Sequence, residues 1–167
     1  TSLSHLAATP SGTSLNKFGN GTLVLSSARN AYSGGTNVIS GTIRLGAANV
    51  IPDGAATPGA VTIAAGATLD LNGFSETING LAGAGTVTNG AGGAVNFGVG
   101  NTNVSSTFSG VISNSGGGAL SLVKVGTGTL TLTGANTYTG STIISAGGGL
   151  TLNFTAAGAP LNNLISA

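Results

Sequence analysis

LVKVGTGTLTLTGANTYTG, residues 122–140, and LNKFGNGTLVLSSARNAYSG, residues 15–34, are one phrase used twice. Lys17 aligns with Lys124, Gly19 and Gly21 with Gly126 and Gly128, and Leu23 and Leu25 with Leu130 and Leu132. Further on, Asn30 aligns with Asn136, Tyr32 with Tyr138 and Gly34 with Gly140. The lysines stand 107 positions apart and the tyrosines 106, so the earlier copy carries one extra residue, Arg29, in its turn. A chain that reuses a short strand-and-turn unit builds a stack of like layers, and a stack works as a surface more readily than as a pocket.

Beyond the two copies, short runs alternate apolar residues with Thr, Ser or Asn. They cover 22–25, 42–45, 60–63, 67–71, 86–88, 94–97, 120–123, 129–132 and 150–152. Alternation of this kind turns one face of a strand inward and one toward water. Turn signals punctuate the runs: Asn20-Gly21, Asp53-Gly54, Asn72-Gly73, Asn79-Gly80, Asn89-Gly90 and two glycine triplets, 116–118 and 147–149. No stretch has a helical period, and the Gly, Thr, Asn and Val content disfavours helix. Residues 46–59, with Pro52 and Pro58, read as an outward loop between coils. Residues 1–12, with His5 and Pro10, read as a frayed end or an edge coil.

The chain is therefore all-β, and two architectures compete. A sandwich or barrel calls for larger core residues and antiparallel hairpins. A β-solenoid has a narrow cross-section that Leu, Ile, Val and Ala fill while glycine turns the corners. The repeated GTLxL, the short strands and the lack of bulky aromatics favour the solenoid. At roughly 20–25 residues per coil the chain holds about seven or eight coils. Residues 1–167 are expected to form a single β-solenoid domain or a segment of a longer one.

Composition narrows the function. Glycine supplies 31 of 167 residues, well above the usual level of about 7%. Charged residues make up only 4%: Lys17, Arg29, Arg44, Lys124, Asp53, Asp70 and Glu76. A hydrophobic fraction of 40%, rich in β-branched residues, argues against disorder. A net charge of +1 offers no field for nucleic acid or anionic lipid, and no basic run or aromatic platform is present. Without cysteine there are no disulfides and no thiolate metal sites. No apolar run reaches the length of a transmembrane helix and no signal peptide is visible, so no membrane insertion by this segment is expected. The chain does not begin with Met, which suggests a mature product or an excised piece.

Residues 122–147 resemble the passenger-associated repeat of bacterial autotransporters and related large surface proteins. That pattern runs Leu-x-Lys-x-Gly-x-Gly-Thr-Leu-x-Leu-x-Gly-x-Asn-x-Tyr-x-Gly-x-Thr, followed by an apolar strand and Gly-x-Leu-x-Leu. It falls on Lys124, Gly126, Gly128, Thr129, Leu130, Leu132, Gly134, Asn136, Tyr138, Gly140, Thr142, Leu150 and Leu152. The earlier copy meets it with Lys17, Gly19, Gly21, Thr22, Leu23, Leu25, Asn30, Tyr32, Gly34, Thr36, Gly41, Ile43 and Leu45. The two copies extend over 15–45 and 122–152. The resemblance implies a single-stranded right-handed parallel β-helix exported to the outer cell surface or beyond. The membrane barrel expected of an autotransporter is not in this sequence.

Every motif position reads as structural. The glycines flatten the corner or supply positive φ. Leu23, Leu25, Leu130 and Leu132 point into the coil. Asn30 and Asn136 bond their own turn or ladder with a neighbouring coil, and Tyr32 and Tyr138 cover the end of the apolar core.

Chemistry is scarce. Acid/base work needs paired carboxylates or a carboxylate with His. Asp70, flanked by Leu69 and Leu71, is expected to face solvent, with Glu76 another solvated charge and Asp53 a turn residue. An Asp70/Glu76 pair would serve a carbohydrate-active β-helix enzyme. His5 has no triad context, no calcium-type Gly-Gly-x-Gly-x-Asp occurs, and Gly126-Thr127-Gly128 leads into a strand and no helix. No cofactor and no metal site are expected. The outward rows Thr129, Thr131, Thr133 and Thr86, Thr88 carry a minor ice-binding reading, against the plainer one that Thr suits an outward strand position. The reading that remains is a non-catalytic extracellular β-helix: an adhesive surface, a stalk or a fibre. Its partners would be surface glycans or copies of itself, joined end to end or side by side through unguarded strand edges.

Overall fold

The computed structural model describes residues 2–3, 12–54, 59–145 and 147–153; His5 and nearly all of the end-coil region 1–12 lie outside them. Strands of two to five residues form three parallel sheets. In chain order they are β1 (Ser2–Leu3), β2 (Leu15–Lys17), β3 (Thr22–Leu25), β4 (Thr36–Val38), β5 (Thr42–Leu45) and β6 (Val61–Ile63). Then come β7 (Thr68–Asp70), β8 (Glu76–Ile78), β9 (Leu81–Gly83), β10 (Thr86–Asn89), β11 (Val95–Val99) and β12 (Ser106–Phe108). The last are β13 (Val111–Asn114), β14 (Leu120–Lys124), β15 (Thr129–Leu132), β16 (Thr142–Ile144) and β17 (Gly149–Leu152).

The long face stacks β2, β4, β6, β9, β12, β15 and β17. A six-strand face stacks β1, β3, β5, β7, β10 and β13, and a four-strand face stacks β8, β11, β14 and β16. From β6 to β15 the chain visits long, six-strand and four-strand faces in that fixed order, which is the path of a β-solenoid. No two strands adjacent in sequence pair with each other, so there is no hairpin among the described residues.

Register shows what one turn costs in sequence. Thr22 pairs with Thr42, Thr42 with Thr68, Thr68 with Thr86 and Thr86 with Val111, steps of 20, 26, 18 and 25 residues. The described residues make about six turns, fewer than the seven or eight expected. Long steps absorb residues in loops without adding a layer, which is where the count goes astray.

The core is built from inward columns one residue wide. Leu23, Ile43, Leu69, Val87 and Ile112 succeed one another up the six-strand face, and all but Leu23 are fully buried. Glu76, Phe97, Leu122 and Thr142 do so on the four-strand face. Each fully buried aliphatic side chain contributes about 1.5–3 kcal/mol. Phe97 and Phe108 are the largest of the fully buried side chains.

Residues 46–54 depart from a purely outward loop. Val50 and Ile51 tuck in and are buried, closing the side of the second turn where no strand forms. Asn30 Nδ2 donates to Val50 O at 2.8 Å from the turn below, and Asn49 N donates to Ser75 O at 3.4 Å in the turn above.

Candidate contact surface

The corner of the repeated phrase is closed by its lysine. Lys17 Nζ donates to the carbonyls of Phe18, Gly19 and Ser40 at 2.9, 2.6 and 3.0 Å. Lys124 Nζ does the same with Val125 O and with Gly126 O, the latter at 3.1 Å. The corner bends the chain so sharply that these carbonyls point together, where no strand donor can reach them, and the ammonium satisfies them. Lys124 is wholly buried, and that burial pulls its pKa below the usual lysine value.

Gly19 and Gly126 adopt φ of 73° and 65°, the left-handed region that a side chain disfavours. Of the second glycines, space holds Gly128 and not Gly21. A Cβ on Gly128 would meet the carbonyl of Val104 one turn below, whereas one on Gly21 would meet nothing within 4 Å. Cβ atoms on Gly34 and Gly140 would strike the Ser14 and Ser121 hydroxyls. Leu25, Leu130 and Leu132 are buried, and Leu23, partly buried, packs against the core.

The tyrosines match closely. Tyr32 Oη and Tyr138 Oη each share a 2.7 Å hydrogen bond with the hydroxyl four residues on, Thr36 and Thr142. Burial pushes Tyr32 up to about 12 and raises Tyr138 as well. The asparagines differ. Asn30 donates to the turn above through Val50 O, while Asn136 Oδ1 accepts from Ile112 N at 2.9 Å in the turn below.

The two copies do not sit on the same side of the solenoid. In the first, the lysine strand β2 is on the long face and the GTLxL strand β3 on the six-strand face. In the second, β14 is on the four-strand face and β15 on the long face. Four full turns carry Lys17 through Val38, Ile63 and Gly83 to Phe108, and two more faces lead to Lys124. The phrase is thus a corner unit that fits two different corners of the solenoid.

Neither acidic side chain expected in solvent is there. Asp70 keeps the outward parity predicted for it, in register with Arg44 below and Thr88 above. The next corner folds over it, leaving Asp70 4% exposed. Its carboxylate pairs with Arg44 Nε at 2.9 Å and accepts from Asn72 N and Gly90 N, both at 2.9 Å. Glu76 points inward and is 1% exposed. It lies at the bottom of the four-strand sheet, above a segment that offers N–H groups but no strand. Its Oε2 accepts from Val50 N at 2.8 Å and Ile51 N at 3.4 Å, and its Oε1 from Thr77 N at 3.2 Å. Burial raises its pKa to about 7 against the pull of those donors. Nothing here supports an acid/base pair: the carboxylates belong to different sheets and are engaged by protein groups. No group of three or more His, Asp or Glu fit to hold a metal occurs among the described residues. Thr88 is nearly buried, 3.1 Å from the Ser115 hydroxyl, so Thr86 and Thr88 make no flat exposed row.

The feature that sequence reasoning missed is a continuous uncharged column on the long face. Register aligns Asn16, Asn37, Thr62 and Ala82, one outward residue per layer. Gly83 pairs with Phe108, which sets Ala82 beside Thr107, and the column continues through Thr131 and Thr151. Layers recur about every 4.8 Å. Asn37 Nδ2 donates to Asn16 Oδ1 at 2.8 Å, joining the first two members side chain to side chain. At its N-terminal corner Phe18 and Ile39 lie 66% and 40% exposed, an apolar edge beside the ladder. Successive members of the column lie 20 to 25 residues apart, so no fixed spacing in the sequence reveals it.

Residues 15–45 and 122–152 match the model of the passenger-associated-transport-repeat. Over 136 residues the chain is 43% identical to the adhesin BmaC autotransporter of Brucella suis biovar 1 (strain 1330), an alignment covering 80% of this chain and 4% of that protein. The chain thus spans only a small fraction of the length of the curated relative it matches. No solved structure matches it.

Proposed function

We propose, from the two passenger-associated-transport-repeats that this chain carries, that it is a non-catalytic length of an autotransporter-type passenger, exposed on the outer cell surface or released from it. In this reading residues 1–167 are one solenoid domain or a segment of a longer one, serving as stalk and adhesive surface. The sixteen motif positions from Lys17 to Tyr138 and Gly140 are corner and stacking parts. The similarity to an adhesin autotransporter supports this reading, as does an exterior with few charges.

The observation that carries it is the uncharged ladder from Asn16 to Thr151, presented in step along the long face. A neutral row of amides and hydroxyls, interrupted only at Ala82, suits neutral surface glycans or the same face of a second copy. Beads coated with the chain test it, read for clumping and for capture on a panel of neutral glycans. Thr62→Lys together with Thr107→Lys abolishes whichever contact is present, through unpaired and mutually repelling charge. Ser121→Lys, on the four-strand face, leaves it unchanged. Equal loss from both variants, or no contact by the unaltered chain, overturns the proposal.

A further inference from the structure

Four Asn-Gly pairs occur in the chain: Asn20-Gly21, Asn72-Gly73, Asn79-Gly80 and Asn89-Gly90. In such a pair the glycine amide nitrogen can attack the asparagine side-chain carbonyl, because glycine imposes no Cβ and little conformational restriction. The fold blocks three of the four. The Gly73 N–H donates to Asn89 Oδ1 at 2.9 Å, and the Asn72 carboxamide donates to Leu45 O at 3.0 Å. The Gly90 N–H donates to Asp70 Oδ1 at 2.9 Å, and Asn89 is fully buried, its Nδ2 donating to Gly93 O at 2.7 Å and Gly118 O at 3.1 Å. Asn79 is fully buried, and Gly80 is walled in by Val104, Ala60 and Ser106.

Asn20-Gly21 has none of these restraints. Both residues are exposed at the tip of the first repeat's corner, and a Cβ on Gly21 would meet nothing within 4 Å. Neither the Asn20 carboxamide nor the Gly21 N–H has a hydrogen-bond partner among the described residues. The second repeat has Thr127 at the matching place, between Gly126 and Gly128, which cannot react this way.

We propose that Asn20-Gly21 is a self-modification site at which the folded protein deamidates without an enzyme. The Gly21 nitrogen bonds to Asn20 Cγ, and the side-chain nitrogen leaves as ammonia, taking up the proton released from the Gly21 nitrogen. The resulting succinimide takes up one water, which opens either ring carbonyl to give aspartate or its β-linked isomer. The net change is one water consumed and one ammonia released. The product puts a carboxylate into the corner, and the β-linked form adds one main-chain atom there. Gly19 O holds the Lys17 ammonium at 2.6 Å and Gly21 O accepts from Thr42 N at 3.2 Å, so modification loosens the seat of the second layer on the first.

The test is to incubate the full chain at mildly alkaline pH and follow each Asn-Gly peptide by mass spectrometry, with a urea-unfolded sample alongside. In the folded chain the amide-to-acid mass gain collects at Asn20, and the other three lag by about tenfold or more, a factor that ~1.4 kcal/mol of extra barrier supplies. In urea all four convert at similar rates. Asn20→Thr removes the gain from that peptide and leaves the others as they were. Conversion of Asn72, Asn79 or Asn89 as fast as Asn20 in the folded chain, or no conversion at Asn20 where the unfolded sample converts, overturns the proposal.

Discussion

The buried ammonium of Lys124 bonds to main-chain carbonyls of its own corner, Val125 O and Gly126 O. Lys124→Met fills the space but strands those carbonyls. It is expected to lower stability by about 2 kcal/mol, near the value of hydrogen bonds to a charged group, read from urea unfolding. Glu76 makes the second residue-scale prediction. Its native pKa, raised by burial to about 7 from an ordinary 4.5, means the folded state holds the proton more tightly than the unfolded state. The stability linked to it is therefore complete below pH 4.5, declines as pH rises toward 7 and is level above. The span is about 3 kcal/mol at 1.36 kcal/mol per unit. Unfolding midpoints from pH 4 to 8 check this: the difference between the native chain and Glu76→Gln changes across that window, and a constant difference refutes it. Neither burial was legible in the sequence. Parity does place Asp70 outward, but parity along one strand cannot show that the corner after it folds back over the carboxylate. Glu76 follows the Asn72-Gly73 turn, which resets the alternation.

At the scale of strands and corners, the two copies of the phrase form a natural controlled experiment. Gly128→Ala drives a methyl into the carbonyl of Val104, whereas Gly21→Ala points into open space. The first is expected to cost about 1–3 kcal/mol, as overpacking does, and the second to stay within about 0.5 kcal/mol. Thermal melting of the pair decides it, and equal losses contradict the stacking described for these corners. The strands that the sequence disclosed are those with two inward aliphatics at their second and fourth positions, such as Thr22–Leu25, Thr42–Leu45 and Thr129–Leu132. The ones it concealed are three-residue strands with a polar or small residue turned inward: Thr36–Val38 buries Thr36, and Glu76–Ile78 buries Glu76. Their strand character comes from being held between layers already formed, a tertiary effect that overrides local propensity.

Across the whole molecule, each layer touches only the layers above and below, so stability follows a chain of neighbour terms. Amide hydrogen exchange is expected to be slowest in β6, β7, β9, β10, β11 and β12, which are paired on both sides, and faster in β2, β8, β13, β16 and β17, which end their sheets among the described residues. Uniform protection along the chain contradicts this. The solenoid class was readable from alternation and glycine corners. The uncharged ladder was not, because turns of unequal length scatter its members irregularly through the sequence. The two-thirds of a turn that separates the copies, beyond four whole ones, has a consequence for any longer array built at the same spacing. Three successive copies would point along three bearings before the first direction recurs. Such a fibre has no front or back. It could roll about its own axis against a flat boundary and always offer some copy to it, so grip would depend on reach and number and not on orientation.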